Sequence, residues 1–197
     1  MSTDSSHPDM PSSVERMLRP ERVETLDPFR VMSHCPVTPR DTIADIGCGP
    51  GYFTIPLAKF LVHGKVYALD TSDEMIEACQ IRLNEVRLGN VEVLKCEEYE
   101  FPVEPASMDG IFISVVLHHP SNRVRFLTAA QEMLKPGGWC FIIEWQPHET
   151  ESGPPQEVRI TTDDLREIAS DSGLKFQSSL NLNSDYYVST LIKSRLS

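Results

Sequence analysis

The sequence predicts an α/β protein with a doubly wound, largely parallel sheet and helices on both of its faces. Three observations predict this class. Apolar segments alternate with amphipathic ones, residues 139–145 are almost continuously apolar, as buried parallel strands are, and the first predicted strand runs into three alternating glycines. Right-handed crossovers between parallel strands place the connecting helices on both faces of such a sheet.

The strands are predicted from apolar segments that are bounded by turn residues. Asp70 closes the second strand, Gly89 and Asn90 precede the third, and a proline-containing segment, 101–106, precedes the fourth. The predicted strands are 41–46, 65–70, 91–95, 108–114, 139–145, 174–179 and 186–193.

The helices are predicted from apolar spacings of three and four and from start and stop signals. The helix that follows the glycines begins at about residue 52 and carries Phe53, Leu57 and Phe60 inward. Ser121 is the predicted N-cap of a later helix, which ends before the Lys-Pro-Gly-Gly segment. The later helices are predicted over 73–88, 121–134 and 162–171.

The N-terminal region divides into a tail and a helical segment. Residues 1–13 are polar and rich in serine, proline and aspartate, which predicts a disordered tail ahead of a single domain, 14–197. Asp27 followed by Pro28 predicts a helix start within one or two short helices. We expect the segment 14–40 to cover the site, with padding of the sheet as the alternative.

Composition and charge bound the location and the partners. The chain has no signal-peptide pattern and no apolar run of roughly 20 residues, so we expect a cytoplasmic protein outside the membrane. A net charge of −11 argues against nucleic acid as a partner. The cluster of Arg16, Arg19, Arg22 and Arg30 is interpreted as a solvated helical face. The five scattered cysteines form no Cys-x-x-Cys pair, which predicts reduced thiols and no metal site.

The glycine loop predicts the kind of ligand. Gly47, Gly49 and Gly51 allow backbone N–H groups to approach a ligand closely, but Tyr52 stands where a dinucleotide-binding loop has its third glycine or alanine. No Lys-Ser or Lys-Thr follows, which excludes a P-loop. Asp45 would repel a pyrophosphate and attract an amino group. We therefore expect a nucleoside with a zwitterionic tail.

These residues resemble the first two motifs of the class I S-adenosylmethionine-dependent methyltransferases. Asp45, the three glycines and Asp70 carry the resemblance, which extends over residues 25–193. Segments 115–119 and 134–138 are similar to those of small members related to the ubiquinone and menaquinone C-methyltransferases. The resemblance implies a Rossmann-like, seven-stranded sheet with its last strand antiparallel, and S-adenosyl-L-methionine as the cofactor.

The resemblance also implies roles for individual residues. The glycine loop would cradle the methionine portion, Asp45 would lie near its ammonium group, and Asp70 would hold the ribose. Thr71, Met75 and Glu97 would lie on the adenine side, although Cys96-Glu97 stands where the family usually has Gly-Asp. The candidate cofactor-binding residues are Asp45, Gly47, Cys48, Gly49, Gly51, Tyr52, Asp70, Thr71, Met75, Glu97, Glu98 and Ser114.

A general base is needed only if the acceptor must lose a proton. His118 and Glu144 are the candidate catalytic residues, with His148 as a further candidate base. The alternatives are that His118 and His119 cap the turn before Pro120 or line the acceptor pocket, and that Glu144 is a structural acid. A metal site of His118, His119 and His148 is disfavoured because adjacent histidines on an extended chain point apart. Arg159 is a candidate catalytic residue that would bind the acceptor. The alternative is that it forms a structural salt bridge at a helix start.

The sequence thus predicts a methyltransferase that acts on a small molecule as a monomer or homodimer. Two alternatives stay open: a regulatory module that binds S-adenosylmethionine without transferring a methyl group, and an NAD-dependent oxidoreductase. Tight binding of NAD without binding of S-adenosylmethionine would favour the second.

Overall fold

The computed structural model describes residues 12–150 and 152–195. The predicted disordered tail, 1–13, lies outside the described residues except for residues 12 and 13. The strands are β1 (Thr42–Ile46), β2 (Lys65–Asp70), β3 (Val91–Lys95), β4 (Met108–Ser114), β5 (Leu134–Trp145), β6 (Leu174–Asn181) and β7 (Tyr186–Lys193). The helices are α1 (Ser12–Met17), α2 (Glu21–Thr25), α3 (Pro28–Met32), α4 (Thr54–Phe60), α5 (Asp73–Val86), α6 (Arg123–Met133) and α7 (Thr162–Asp171), with one turn of 3-10 helix at Gln156–Val158.

The strands form one seven-stranded sheet in the order β3-β2-β1-β4-β5-β7-β6. Strands β1 to β5 are parallel, and β7 runs antiparallel between β5 and β6. The predicted fold, including the antiparallel last strand, is confirmed. The strand order reverses between β1 and β4, and the carboxyl ends of the strands at such a reversal form the ligand crevice of an open α/β sheet.

Apolar side chains alternate between the two faces of β4. Ile111 and Ile113 pack into one apolar layer with α6 and α7, whereas Phe112 packs into the other with α3 and α4. On that second face the Phe112 ring lies between Phe53 and Phe141, with ring centroids 5.0 and 5.6 Å away. The sheet is therefore covered on both faces and the site is confined to its edge.

Three local predictions in the helical segments differ from the structure, and β5 begins at Leu134 and not at the predicted residue 139. Phe60 is 40% exposed because α4 ends there, and the next residue, Leu61, takes the buried position. The N-cap of α6 is Asn122, whose side chain accepts the N–H of Arg125, whereas Ser121 bonds the hydroxyl of Tyr99. The N-terminal segment forms three short helices.

Helix α3 nevertheless begins where the sequence indicates. Asp27 caps α3 by accepting the N–H groups of Phe29 and Arg30, and Pro28 occupies the first helical position. Among the described residues, no helix combines the length and the apolar character needed to cross a membrane.

Candidate functional site

The glycine loop lies at the carboxyl end of β1, where the strand order reverses. All three glycines have left-handed φ values, +71° at Gly47, +53° at Gly49 and +79° at Gly51, which side chains with a Cβ rarely adopt. A Cβ at Gly47 would also overlap the side chain of Val116, which follows β4. At position 47, glycine is therefore required both by the backbone conformation and by the neighbouring Val116 side chain.

Backbone hydrogen bonds tie the loop to β2. The N–H groups of Gly47 and Cys48 both donate to the carbonyl of Leu69, at 2.8 and 3.0 Å. The N–H of Gly49 donates to Asp70 Oδ2 at 2.8 Å, and Asp70 Oδ1 accepts the N–H of Ser72 at 3.0 Å. The loop and the acid that follows β2 thus form one hydrogen-bonded unit.

Asp45 is a buried acid beneath this loop. It is 2% exposed and accepts a hydrogen bond of 2.6 Å from the hydroxyl of Thr54, at the start of α4. Burial raises its pKa to about 7, and the charge of Asp70 acts in the same direction. A cationic group placed next to Asp45 would favour the carboxylate form.

Cavity A is a space of about 310 Å³ beside the loop, at the ends of β1, β2 and β3. Five candidate cofactor-binding residues line it: Gly47, Asp70, Thr71, Glu97 and Glu98. A histidine and an apolar side that the sequence did not indicate also line it. These residues are Phe101, Val116, His119 and Phe126.

The other candidate cofactor-binding residues lie around cavity A without lining it. Met75 is buried in the first turn of α5, and Cys48 is buried in the loop. Tyr52 donates its hydroxyl to the carbonyl of Leu26 at 3.0 Å. Ser114, at the end of β4, has a buried Oγ that finds no hydrogen-bond partner among the described residues. A buried hydroxyl without a partner is uncommon and is consistent with a ligand contact.

Cavity B, about 540 Å³, lies between the N-terminal helices and the ends of β4, β5 and β7. Val115, Trp145 and Tyr186 line it from the sheet, and Met17 and Arg22 line it from the N-terminal segment. Val115 has a φ of +60°, which is strained for a β-branched residue. Such strain clusters at ligand sites, and here it falls directly between the two cavities.

His118 and Glu144 form a buried pair. The imidazole Nδ1 lies 2.9 Å from Glu144 Oε2, and the backbone N–H of His118 donates to Oε1 at 3.2 Å. Neither residue lines cavity A or cavity B. Their catalytic roles stay predictions, and these contacts favour the alternatives of a fixed turn and a structural acid.

The neighbouring histidines do not point apart. The rings of His118 and His119 lie 4.0 Å apart between centroids, because the chain turns here and His119 N–H donates to the carbonyl of Val116. Burial lowers the pKa of His119. His148 is exposed. In the part of the chain that the structure describes, no three His, Cys, Asp or Glu residues are grouped as a metal site.

Arg159 holds the loop that follows β5. Its guanidinium donates to main-chain carbonyls at four positions and to one hydroxyl, and it is 8% exposed. It also lies over the ring of Trp145, 5.4 Å from the centroid. The catalytic role of Arg159 stays a prediction, and its saturated hydrogen bonds favour a structural role. The acceptors are Gln146, His148, Pro154 and Ser152 through their carbonyls and Thr150 through its hydroxyl.

The fold and the site together define a nucleoside-binding α/β domain, with its loop at the sheet reversal and an acid after β2. A family model described as a methyltransferase domain matches residues 44–142. The chain belongs to this methyltransferase domain family.

Two curated relatives illustrate the sequence similarity. The chain is 33% identical over 104 residues to a demethylmenaquinone methyltransferase of Lactococcus lactis. This match covers 52% of this chain and 41% of that protein. It is 30% identical over 111 residues to a carboxy-S-adenosyl-L-methionine synthase of Yersinia pestis, covering 55% and 42%. The matches therefore span less than half the length of these relatives.

Solved structures extend the likeness over the whole fold. An S-adenosylmethionine-dependent methyltransferase from Aquifex aeolicus superposes with a TM-score of 0.87 and 29% identity, over 92% of this chain and 97% of that chain. A phosphoethanolamine N-methyltransferase from Haemonchus contortus, in complex with S-adenosyl-L-methionine, has the same fold, with a TM-score of 0.71, 17% identity and coverage of 85% and 52%. The chain thus has the fold of S-adenosylmethionine-dependent methyltransferases.

Proposed function

We propose that this chain transfers the methyl group of S-adenosylmethionine, bound along the glycine loop and cavity A, to a small molecule held in cavity B. The observation that carries the proposal is the position of two consecutive residues. Val116 lines cavity A and Val115 lines cavity B, so both cavities reach the end of β4. A donor and an acceptor bound there would face each other across this point.

The residues around cavity A fit the cofactor. The glycine loop presents backbone without side chains at Gly47, Gly49 and Gly51, and the Ser114 hydroxyl is buried without a partner among the described residues. We assign Asp70 to the ribose hydroxyls, Asp45 to the ammonium group, and Thr71 and Glu97 to the adenine. A carboxylate matches the geometry of two vicinal hydroxyls.

The chemistry asks the protein mainly for position. The sulfonium of the bound cofactor supplies an activated methyl group, so the chain must orient the acceptor and exclude water. The N-terminal segment 14–40 is suited to cover the site: the sulfur of Met17 lies 3.4 Å from the ideal Cβ position of Gly49. The Arg22 guanidinium lies over the Tyr52 ring, and this contact links the same segment to the glycine loop.

The size of cavity B supports a small-molecule acceptor. Its volume of about 540 Å³ lies within the roughly 300–1,000 Å³ of small-molecule sites. A quinone is one candidate, because one relative is a demethylmenaquinone methyltransferase. The cytoplasmic location and the monomeric or dimeric state stay predictions.

Calorimetric titration with S-adenosylmethionine and S-adenosylhomocysteine tests the cofactor half of the proposal. We expect one site per chain, and absence of binding at millimolar cofactor would contradict it. Formation of S-adenosylhomocysteine across a panel of phenols, quinols and amines then tests the transfer. Cofactor binding without turnover of any acceptor would instead favour a regulatory module.

A further inference from the structure

The charge that lines cavity B is opposite to the charge of the whole chain. The protein carries a net charge of −11, yet Arg16, Arg19 and Arg22 all line this cavity, with Glu21 as the acid among them. The arginine cluster is therefore not the purely solvated helical face that the sequence indicates. Arg30, the fourth member of the cluster, turns away and donates to the carbonyl of Leu182 at 2.8 Å.

Arg22 is the partly buried member of this group, and it has no counter-ion among the described residues. Its Nε is buried and has no hydrogen-bond partner among the described residues, and its Nη1 makes one long bond of 3.3 Å to the carbonyl of Met17. No salt bridge in the described part of the chain involves it. A buried guanidinium is costly unless an anion or several acceptors complete it.

The surroundings of Arg22 are aromatic. The guanidinium lies 4.7 Å from the ring centroid of Tyr52, a cation–π contact that holds the group in place without using its N–H donors. Burial lowers the pKa of Arg22, and it raises the pKa of Tyr186 to about 12, so that phenol is no counter-ion near neutral pH. Apart from the Nη1 bond to Met17, the guanidinium N–H groups are thus left for a ligand.

An aromatic surface made by two tilted rings lies beside this cation in the same cavity. The rings of Trp145 and Tyr186 have centroids 4.4 Å apart and an interplanar angle of 39°. Gly153, at a φ of +111°, brings the loop after β5 so close that a Cβ there would lie 3.0 Å from the Trp145 ring. Cavity B therefore offers an aromatic wall together with a partly buried cation.

We infer that the methyl acceptor carries an anionic group, a carboxylate or a phosphate, that pairs with Arg22 while its apolar or aromatic body packs against Trp145 and Tyr186. Arg16 and Arg19, both exposed, would attract the anion at the rim. This inference rests on the proposed function, because it assigns cavity B to the acceptor. A guanidinium pairs with either anion through two parallel N–H donors.

Binding of three probes to the protein saturated with S-adenosylhomocysteine tests the inference. Benzoate, phenyl phosphate and neutral benzamide share a ring and differ in charge, so calorimetry or ligand-observed NMR can compare them directly. We expect at least one anion to bind about 10-fold or more tightly than benzamide. The comparison of benzoate with phenyl phosphate tells a carboxylate from a phosphate.

Arg22→Gln should remove the preference for the anion, and Arg22→Lys should retain part of it. Arg166→Gln is the matched control, since Arg166 lies on α7 and its side chain is 57% exposed. If Arg22→Gln does not fold, the wild-type comparison and Arg22→Lys still decide. Equal affinity for the three probes, no binding of either anion, or an unchanged preference in Arg22→Gln would overturn the inference.

Two further outcomes separate this inference from its foundation. If Arg22→Gln weakens the binding of S-adenosylhomocysteine as much as it weakens the binding of the anion, the guanidinium pairs with the cofactor carboxylate and the inference fails. If the wild-type protein binds no cofactor at all, the proposed function fails, whatever the probes do.

Discussion

Val115 and Val116 are consecutive residues, yet Val115 lines cavity B and Val116 lines cavity A. Val115 is held in its strained, left-handed conformation by the hydrogen bond from its N–H to the carbonyl of Ile143, at 2.8 Å. Val116 at the same time closes the space above Gly47. The exit of β4 therefore shapes both the proposed donor site and the proposed acceptor site.

Gly47→Ala should damage both the fold and cofactor binding. The left-handed backbone costs about 1–3 kcal/mol for a residue with a Cβ, and Val116 would have to move. Differential scanning calorimetry and cofactor titration measure the two effects. Gly89→Ala is the control, because a Cβ there meets nothing within 4 Å. Equal melting temperatures and cofactor affinities for the two variants would contradict this account of the loop.

Asp70→Asn should weaken S-adenosylmethionine binding by roughly 10- to 100-fold, the effect of losing hydrogen bonds to a charged acceptor. The amide keeps the size of the side chain but offers one acceptor oxygen where the carboxylate has two. Asp73→Asn is the control: its 2.6 Å ion pair with Lys95 is on the surface, and its side chain is 81% exposed. Wild-type affinity in Asp70→Asn would remove Asp70 from the ribose site.

Asp45 predicts a pH dependence of stability. Its pKa is about 7 in the folded protein and about 3.9 in an unfolded chain. Between these values the folded state holds a proton that the unfolded state has lost, so the free energy of unfolding should fall as pH rises from about 4 to 7. Asp45→Asn should lack this contribution, which denaturant titrations of both proteins at several pH values would measure.

The same group predicts a pH dependence of cofactor binding. If the ammonium group of S-adenosylmethionine lies next to Asp45, it favours the carboxylate, so binding should release a proton and tighten as pH rises from about 6 to 7.5. Calorimetry in buffers of different ionisation enthalpy counts that proton. The same proton release in Asp45→Asn would show that another group is responsible.

Arg159→Met should lower the melting temperature. The change leaves several loop carbonyls without a donor, at a cost of about 2 kcal/mol or more, which is roughly 4–8 °C for a domain of this size. S-adenosylhomocysteine affinity should stay within about twofold. The control variant, Arg166→Met, should change neither the melting temperature nor the S-adenosylhomocysteine affinity. An unchanged melting temperature with a raised acceptor KM would instead support the acceptor-binding role of Arg159.

The strands were predictable because each is a local apolar pattern with clear ends. The bounds of β2, β3, β4 and β7 match the prediction, and β1 differs by one residue. The orientation of Phe60 and the choice between Ser121 and Asn122 as a cap depend on where a helix ends within one residue. The residue pattern does not fix that point, because tertiary packing decides it.

The site was predictable where its residues lie at strand ends. Gly47, Asp70, Thr71, Glu97 and Glu98 lie at or just after the ends of β1, β2 and β3, so their convergence on cavity A follows from a parallel sheet. Phe101 reaches the same cavity from a loop, and Phe126 reaches it from α6. The two side chains come together only in the folded chain. Their apolar character is a sequence signal for burial and not for a ligand.

The acceptor side was not predictable for a similar reason. Arg22 is charged and lies on a short helix, which is typical of a surface residue. The sequence around it gives no sign that the Tyr52 and Tyr186 rings lie close to it. The unpartnered Nε became visible only in the folded chain.

The most direct measurement is a crystal structure of the protein with S-adenosylhomocysteine bound. The account predicts the adenine in cavity A, the ribose hydroxyls on Asp70, and the sulfur at the end of β4, facing cavity B past Val115. A nucleoside in cavity B, or a sulfur turned away from it, would contradict the assignment of the two cavities.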